Sequence, residues 1–335
     1  MPLPTRKLGD ANVSAIGFGA MGISAFYGTV GTDEERFKVL DAAFESGCTF
    51  WDTADVYADS EELIGKWFQR TGKRDEIFLA SKFGLRSSPT RLINGDPEYV
   101  KLATERSLKR LGVDCIDLYY FHRPDPTVSI ETTVGAMAEF VKAGKIKYLG
   151  LSECSSTTLR RAHAVHPITA VQVEYSPFTL DIESDKYKLL ATARELDVKI
   201  VAYSPLGRGL LTGFYKSPDD FEPNDFRRKV ARYSKENFPN ILKLADGLKE
   251  IGQRHNATAG QVALAWILAQ GEDVIPIPGT KKVEYLQENL GAASLKLTPD
   301  ELAEVRAIAE TANASQGERY PPDMEKLLFG DTPEQ

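Results

Sequence analysis

The sequence predicts a (β/α)8 barrel, and three observations lead there. Eight short apolar runs recur along the chain, amphipathic stretches fill the intervals, and reactive polar residues stand at the C-terminal ends of the runs. Strands buried on both faces read as near-continuous apolar runs, and their alternation with helical patterns builds a parallel sheet. At 335 residues the chain exceeds the roughly 250 of a plain barrel, which leaves room for insertions. No low-complexity linker and no second composition regime interrupts it, so residues 1–335 are expected to form one barrel domain.

The elements follow in order. A hairpin turned by Asn, Asp and Gly spans Thr5 to Val13. Barrel strands are expected at Ala15–Gly19, Thr49–Asp52, Ile77–Lys82, Ile116–His122, Lys147–Ser152, Ala170–Glu174, Lys199–Tyr203 and Val274–Pro278. Helix Asp33–Ser46 carries Phe37, Leu40, Ala43 and Phe44 at helical spacing. Helix Ser60–Phe68 begins with Ser60 as a cap and two acids, which suit the positive end of the helix dipole. Tyr99–Leu111, Thr132–Ala143, Ser156–Ala164 and Lys186–Leu196 fill the next intervals. Pro205 to Asn256 is longer than a simple crossover needs and is expected to hold an elaborated loop. Thr258–Ala269 opens on a capping box, Thr258 with Gln261, and Pro299–Thr311 is capped by Thr298. Beyond Ala314 a polar, Pro-containing tail is expected to drape across the surface.

Composition narrows the function. The chain is 42% hydrophobic and 27% charged, and 41 Lys plus Arg against 48 Asp plus Glu give a net charge of −7. An acidic total lacks the basic face that neutralises nucleic-acid phosphates, while leaving room for a local basic pocket. No apolar run reaches the roughly 18 residues of a membrane span, and the start lacks the apolar stretch of a secretory signal. Cys48, Cys115 and Cys154 are odd in number and widely spaced, and the four His residues are scattered, so no metal site is expected and the cytoplasm is the expected address. The pattern leaves oligomeric state open.

Barrel enzymes place their chemistry at the C-terminal ends of the strands. There this chain has Asp52 with Tyr57 five residues on, Lys82, His122, Ser152, Gln172 with Glu174, and Tyr203-Ser204. Each alone has a structural explanation. Together an Asp, a Tyr, a Lys and a His on one rim are the parts of a proton-donor system. A phenol with a pKa near about 10 is a poor acid at neutral pH. A neighbouring ammonium favours phenolate, a carboxylate holds the ammonium, and a neutral imidazole can orient a carbonyl.

Gly17-Phe18-Gly19-Ala20-Met21-Gly22 also fits the G-x-G-x-x-G of a dinucleotide-binding turn. The context argues against it. Ile23–Gly31, with two aromatics and two glycines, does not read as the start of a helix, and the acid at Asp52 comes too late.

The segments Asp52-Thr53-Ala54-Asp55-Val56-Tyr57, Lys82, and Phe121-His122-Arg123-Pro124-Asp125 closely resemble the aldo-keto reductases. So do Gly150-Leu151-Ser152-Glu153, Gln172-Val173-Glu174-Tyr175-Ser176, Ala202-Tyr203-Ser204-Pro205-Leu206-Gly207-Arg208-Gly209, and Ile277-Pro278-Gly279-Thr280-Lys281-Lys282 through Glu288-Asn289. The resemblance runs in order from about residue 5 to 310 and points to the branch of pyridoxal-reductase-like and aryl-aldehyde reductases. It implies a tetrad of Asp52, Tyr57, Lys82 and His122 that reduces an aldehyde or ketone by hydride transfer from NADPH, with Tyr57 as general acid and no metal.

The resemblance also implies the cofactor contacts. Ser152 and Gln172 match residues that hold the nicotinamide carboxamide, and Tyr203 matches the aromatic stacked on its ring. Gly19, Ala20 and Met21 line the nicotinamide side of the mouth, beside Asp52. Ser204, Leu206, Gly207 and Gly209, together with Pro205 and Arg208 in the same loop, match the turn around the pyrophosphate. Gly279, Thr280, Lys281 and Lys282 match the adenosine-phosphate pocket, with Glu288 and Asn289 at the adenine. Two adjacent lysines suit a 2′-phosphate as point charges.

The chain departs from the pattern at Glu153, where many relatives carry Asn, and at Tyr285, where they carry Arg or Gln. The Asp225-Phe226-Arg227-Arg228 segment is a further candidate for closing on the pyrophosphate. Substrate choice is expected from Phe26, Tyr27, Phe83, Leu85, Arg123 and the tail. A barrel of this kind can also serve as an NADPH-holding sensor or regulatory subunit; the presence of all four tetrad residues favours the enzyme.

Overall fold

The computed structural model describes residues 3–85, 91–223 and 225–335. The chain opens with an antiparallel hairpin of β1 (Thr5–Leu8) and β2 (Ala11–Ser14). Eight parallel strands follow: β3 (Phe18–Gly19), β4 (Phe50–Asp52), β5 (Phe78–Phe83), β6 (Ile116–Phe121), β7 (Ile146–Ser152), β8 (Ile168–Glu174), β9 (Lys199–Tyr203) and β10 (Val274–Pro276). They stand side by side in chain order.

The two end strands meet. The Gly17 N–H donates to Pro276 O at 2.9 Å and the Gly19 N–H to Pro278 O at 3.1 Å, which closes the sheet into a barrel. Contact at this seam is too close for a side chain: a Cβ on Gly19 would lie 2.7 Å from Ile277 O, and one on Gly279 would lie 2.5 Å from Gly19 O. The seam also explains why β10 stops at Pro276, short of the expected Pro278. Neither proline has an N–H to offer a ladder, so the donors across the seam are Gly17 and Gly19.

Period-two alternation sorts the barrel side chains. Phe50, Ala80, Leu118, Tyr120, Ala170, Val201 and Ile275 form one buried apolar cluster, joined by Leu8 and Val13 of the hairpin. Two residues further along their strands, the same face carries Asp52, Lys82, His122, Gln172 and Tyr203. The interior is therefore apolar over most of its height and polar at one end. Opposite residues such as Trp51, Leu79, Tyr119, Leu149 and Val171 belong to a second cluster shared with the helices.

The expected helices form, with ends shifted by one to three residues. Asp33–Glu45, Ala259–Leu268 and Pro299–Thr311 each start on a capping box, at Thr32, Thr258 and Thr298. Ser60 is not a cap. It is the first residue of helix Ser60–Thr71, and its hydroxyl pairs with Thr53 Oγ1 at 2.8 Å and Ala20 O at 3.4 Å. The glycine motif is followed by one helical turn, Met21–Ser24, after which Ala25 is extended. That turn is too short for a dinucleotide-binding helix.

Two expectations need correction. The interval from Pro205 to Asn256 holds, besides short 3-10 turns, the helix Phe238–Gln253, whose Ile241, Leu244, Ala245, Leu248 and Ile251 are buried at helical spacing. The tail does not drape over the surface. It inserts Leu327 and Phe329 into the core and buries Arg319, and Gly330 exchanges backbone bonds with Glu153 and Ser155 at 2.8 and 2.9 Å. No helix among the described residues is long and apolar enough to cross a membrane.

Candidate active site

The polar end of the barrel gathers the four tetrad candidates. Asp52 pairs with Gly19 on one side and Ala80 on the other, so its carboxylate points inward at the level of Lys82. Lys82 is fully buried and donates to Asp52 Oδ1, to Thr53 O at 2.8 Å and to Tyr57 OH at 3.4 Å. Three partners match the three protons of an ammonium, which answers the cost of burying it. Gln172 Nε2 donates to the other Asp52 oxygen at 2.7 Å.

Tyr57 comes from a loop, and the loop is fastened from several sides. The Thr53 N–H donates to Ala80 O at 2.9 Å and the Asp55 N–H to Lys82 O at 3.0 Å. Arg106 Nη2 reaches the Asp55 carboxylate at 2.8 Å. His122 continues β6, its N–H donating to Phe83 O at 2.9 Å, and presents its ring edge-on to Tyr57 with centroids 5.8 Å apart. Neither His122 ring nitrogen is hydrogen-bonded among the described residues, and Nδ1 is buried.

The electrostatics differ from the expectation at one point. Burial works against the Lys82 ammonium, yet Asp52 and Tyr57 together hold it above its ordinary value. Burial also raises the Tyr57 phenol, and this outweighs the opposing pull of Lys82. The sequence-based reading expected Lys82 to bring that phenol down. It omitted the desolvation that comes with a site inside the barrel mouth. Tyr57 therefore holds its proton firmly at neutral pH. Burial, reinforced by Arg123 and Lys82, keeps His122 well below its ordinary value and hence neutral.

The remaining candidates line the same rim. Ser152 pairs with Gln172 across β7 and β8, and its hydroxyl accepts from Arg123 Nη1 at 3.1 Å. Tyr203 donates to Glu153 Oε1 at 2.8 Å and meets Tyr320 OH at 3.2 Å. Gly19, Ala20 and Met21 lie next to Asp52, whose backbone oxygen accepts from the Ala20 N–H at 2.8 Å. After β9 the backbone turns through positive φ at Ser204, Gly207, Arg208 and Gly209, and Pro205 and Leu206 complete the turn. A Cβ on Gly260 would touch Leu206 and Glu288 at 3.6 Å each, so the turn after β9 and the helix Val283–Gly291 both approach the start of the helix Ala259–Leu268.

The two lysines part company. Lys281, next to Gly279 and Thr280, donates to Tyr27 O and to Thr29 O, the latter at 2.9 Å. Lys282 faces out, 3.4 Å from Glu284 and over the Tyr285 ring. Glu288 accepts from Thr258 Oγ1 at 2.8 Å, and Asn289 is buried on the helix Val283–Gly291. Arg227 is bound to Asp225 and to Arg208 O, and Arg228 to Phe221 O and Glu222 O, so that segment folds against its own loop. Phe83 is buried in the outer core, stacked on Tyr119 and Phe121, and does not face the mouth.

Sequence reasoning missed a cluster above the rim. Arg319 of the tail lies 3.5 Å from Glu153 and 3.6 Å from Glu174, and Arg208 lies 3.5 Å from Glu174. Burial works to raise the Glu174 carboxyl, but Arg208, Arg319 and Arg232 together hold it below its ordinary value. Glu153, the departure noted in the sequence, is thus engaged with Tyr203 and the tail. No periodic signal in the tail announces this contact.

The sequence profile described as the Aldo/keto reductase family matches residues 15–310. An aldo-keto reductase of Strobilurus tenacellus is 67% identical over 315 residues, 92% of this chain and 93% of the relative. A Schizosaccharomyces pombe protein named as an NADP(+) aldo-keto reductase is 52% identical, covering 99% of each chain. Among solved structures, a thermostable aldo-keto reductase in complex with epalrestat aligns with a TM-score of 0.74 at 31% identity, covering 91% of this chain and all of its own. A glycerol dehydrogenase from Gluconobacter oxydans aligns at 0.83 and 26%, covering 95% and 98%. With a closed eight-stranded barrel, an Asp–Lys–Tyr chain at its mouth and relatives matched over nearly their whole length, the chain belongs to the aldo/keto reductase family of oxidoreductases.

Proposed function

We propose that the protein reduces an aldehyde or ketone to the alcohol with NADPH, and that Tyr57 is the proton donor. The observation that carries this reading is Lys82, buried and bonded at once to Asp52 and Tyr57, beside a neutral His122. A substrate carbonyl near Tyr57 and His122 would meet two neutral polar groups. As its oxygen gains negative charge, Tyr57 gives up its hydroxyl proton to it. Lys82 then stabilises the phenolate, and Asp52 keeps Lys82 aimed. His122 orients the carbonyl.

Bound NADPH would supply the hydride, and several features of the mouth fit it. Gly19 and Gly279 leave the rim free of side chains at the seam. The run of positive φ after β9 is the backbone conformation of turns whose N–H groups bind phosphate, with the Gly207 and Gly209 N–H groups closing the turn on Ser204 O and Leu206 O. Ser152 accepts from Arg123 and keeps its own proton to donate, while Gln172 spends its amide nitrogen on Asp52 and keeps its oxygen to accept. A carboxamide needs that donor–acceptor pair. Lys281 and Lys282 would answer the 2′-phosphate, in keeping with the NADP(+) of the S. pombe relative's name.

The test is a panel of aromatic and aliphatic aldehydes and ketones, assayed with NADPH and NADH side by side. Carbonyl-dependent oxidation of NADPH, faster than that of NADH, is expected. Tight NADPH binding with no turnover across the panel would favour a sensor or regulatory subunit instead.

A further inference from the structure

Beside His122 lies a buried cation that the proton-donor system does not use. Arg123 is 4% exposed, and no carboxylate among the described residues lies within ion-pairing distance of it. One nitrogen fixes the side chain: Nη1 donates to His122 O at 2.8 Å and to Ser152 Oγ at 3.1 Å. The opposite edge makes no hydrogen bond among the described residues. Nε is buried without a partner, and Nη2 has no hydrogen bond among the described residues. Nη2 is thus the nitrogen left to donate a charge-assisted hydrogen bond to a carboxylate.

The electrostatic neighbours say where this charge acts. Arg123 interacts with Tyr203, Glu153, Tyr320 and Tyr57, the groups that ring the mouth, and its charge reaches both Tyr57 and His122. Elsewhere on the rim the buried charges are compensated: Glu153 and Glu174 have Arg319 and Arg208, and Lys82 has Asp52. Glu153 is committed to Tyr203, to the Glu174 N–H and to Arg319, so it does not serve Arg123. A buried charge left without a counter-ion is costly unless the partner arrives with a ligand.

We infer that Arg123 is a specificity-determining residue that binds a carboxylate on the substrate, and that the enzyme prefers carbonyl compounds bearing an acid group to their neutral counterparts. The inference rests on the proposed carbonyl reduction. A charge-assisted contact in a site screened from water gives a preference of about tenfold to a hundredfold in kcat/KM. The aromatic rings of Phe26, Tyr57 and Tyr320 would hold the body of such a substrate.

The experiment compares 2-, 3- and 4-carboxybenzaldehyde with their methyl esters, using NADPH, in the wild type, Arg123→Gln and Arg123→Lys. The acid-to-ester ratio is internal to each variant, so a general loss of turnover cancels. At least one isomer is expected to show a ratio of about ten or more in the wild type. That ratio should fall to near one in Arg123→Gln and survive in part in Arg123→Lys. Binding of 4-methylbenzoate to the NADP+ complex, followed by protein fluorescence, should be lost in Arg123→Gln in parallel, without any turnover. A wild-type ratio near one for all three isomers, with no carboxylate binding, overturns the inference even if neither variant folds. Unchanged ratios in Arg123→Gln overturn it as well. Failure to reduce any of the six compounds counts against the proposed function itself.

Discussion

The mouth of the barrel carries two buried polar clusters, and they are built to different standards. In the inner one, Lys82 spends all three protons on Asp52, Thr53 O and Tyr57, and Gln172 completes Asp52. In the outer one, Arg319, Arg208, Glu153 and Glu174 meet at 3.5–3.6 Å, and an oxygen of each carboxylate and a nitrogen of each guanidinium lack a hydrogen bond. The inner cluster hangs on the strand ends that carry Asp52, Lys82 and Gln172, with Tyr57 brought in by a loop tied back to β5. The outer one joins the end of β8 and two barrel loops to a tail from the far end of the chain. Strand register therefore fixes most of the inner cluster, and loops and the tail fix most of the outer one.

That difference can be broken from either side. Lys82→Met should have the largest effect. It leaves Asp52 buried and unpaired, which costs about 3–5 kcal/mol of stability, and it removes the charge behind Tyr57, cutting turnover by about 10²-fold or more. Urea unfolding and steady-state kinetics on the same preparation read both. Retention of most of the activity would detach Lys82 from the proton donor.

Arg319→Leu strikes the outer cluster, and its signature should be stability more than chemistry. Two buried carboxylates lose a counter-ion, so a loss of the same order, about 3–5 kcal/mol, is expected while the inner cluster still works. The pH dependence follows from Glu174. Its folded pKa is depressed, so it adds stability above its ordinary value near about 4.3, which is lost as pH falls through the folded value. With Arg319 gone the depression shrinks, and acid unfolding should begin at a higher pH. Thermal melts between about pH 3 and 7 check this; an unshifted acid limb would mean that Arg319 does not hold Glu174.

These clusters also mark how far the sequence could be read. Asp52, Lys82, His122 and Gln172 were legible because strand ends follow from apolar runs and a barrel puts all strand ends together. Tyr57 followed from its spacing to Asp52. Arg319 and Tyr320 were not legible, since an irregular tail has no period to say what it touches. Helix Phe238–Gln253 was missed for a different reason: the long interval suggested a loop, although Ile241, Leu244, Leu248 and Ile251 already had helical spacing. The raised Tyr57 phenol was missed because desolvation depends on the closed mouth, not on residue type.

Smaller effects sharpen the picture at the cofactor end. Lys281→Ala with Lys282→Ala should erode NADPH binding by roughly tenfold to a hundredfold, spare NADH and flatten the salt dependence of the difference. Lys281 also ties down the backbone at Tyr27 and Thr29, so most of the effect should lie with it; Lys282 faces Glu284. An unchanged preference in the double variant would place the phosphate elsewhere, with Arg227 and Arg228 next to be replaced. The smallest expected effect is an absence: with His122 held neutral, kcat/KM should show no step near the ordinary histidine value of about 6.5. A clear inflection there that vanishes in His122→Gln would contradict the neutral assignment.

The central claim is that Tyr57 supplies the proton. It is tested most directly by single-turnover oxidation of bound NADPH with an aromatic aldehyde, in wild type and Tyr57→Phe, with cofactor affinity measured on the same samples. The account predicts a fall in rate of about 10²–10⁴-fold with NADPH affinity nearly intact. A Tyr57→Phe enzyme that keeps half the wild-type rate would contradict it.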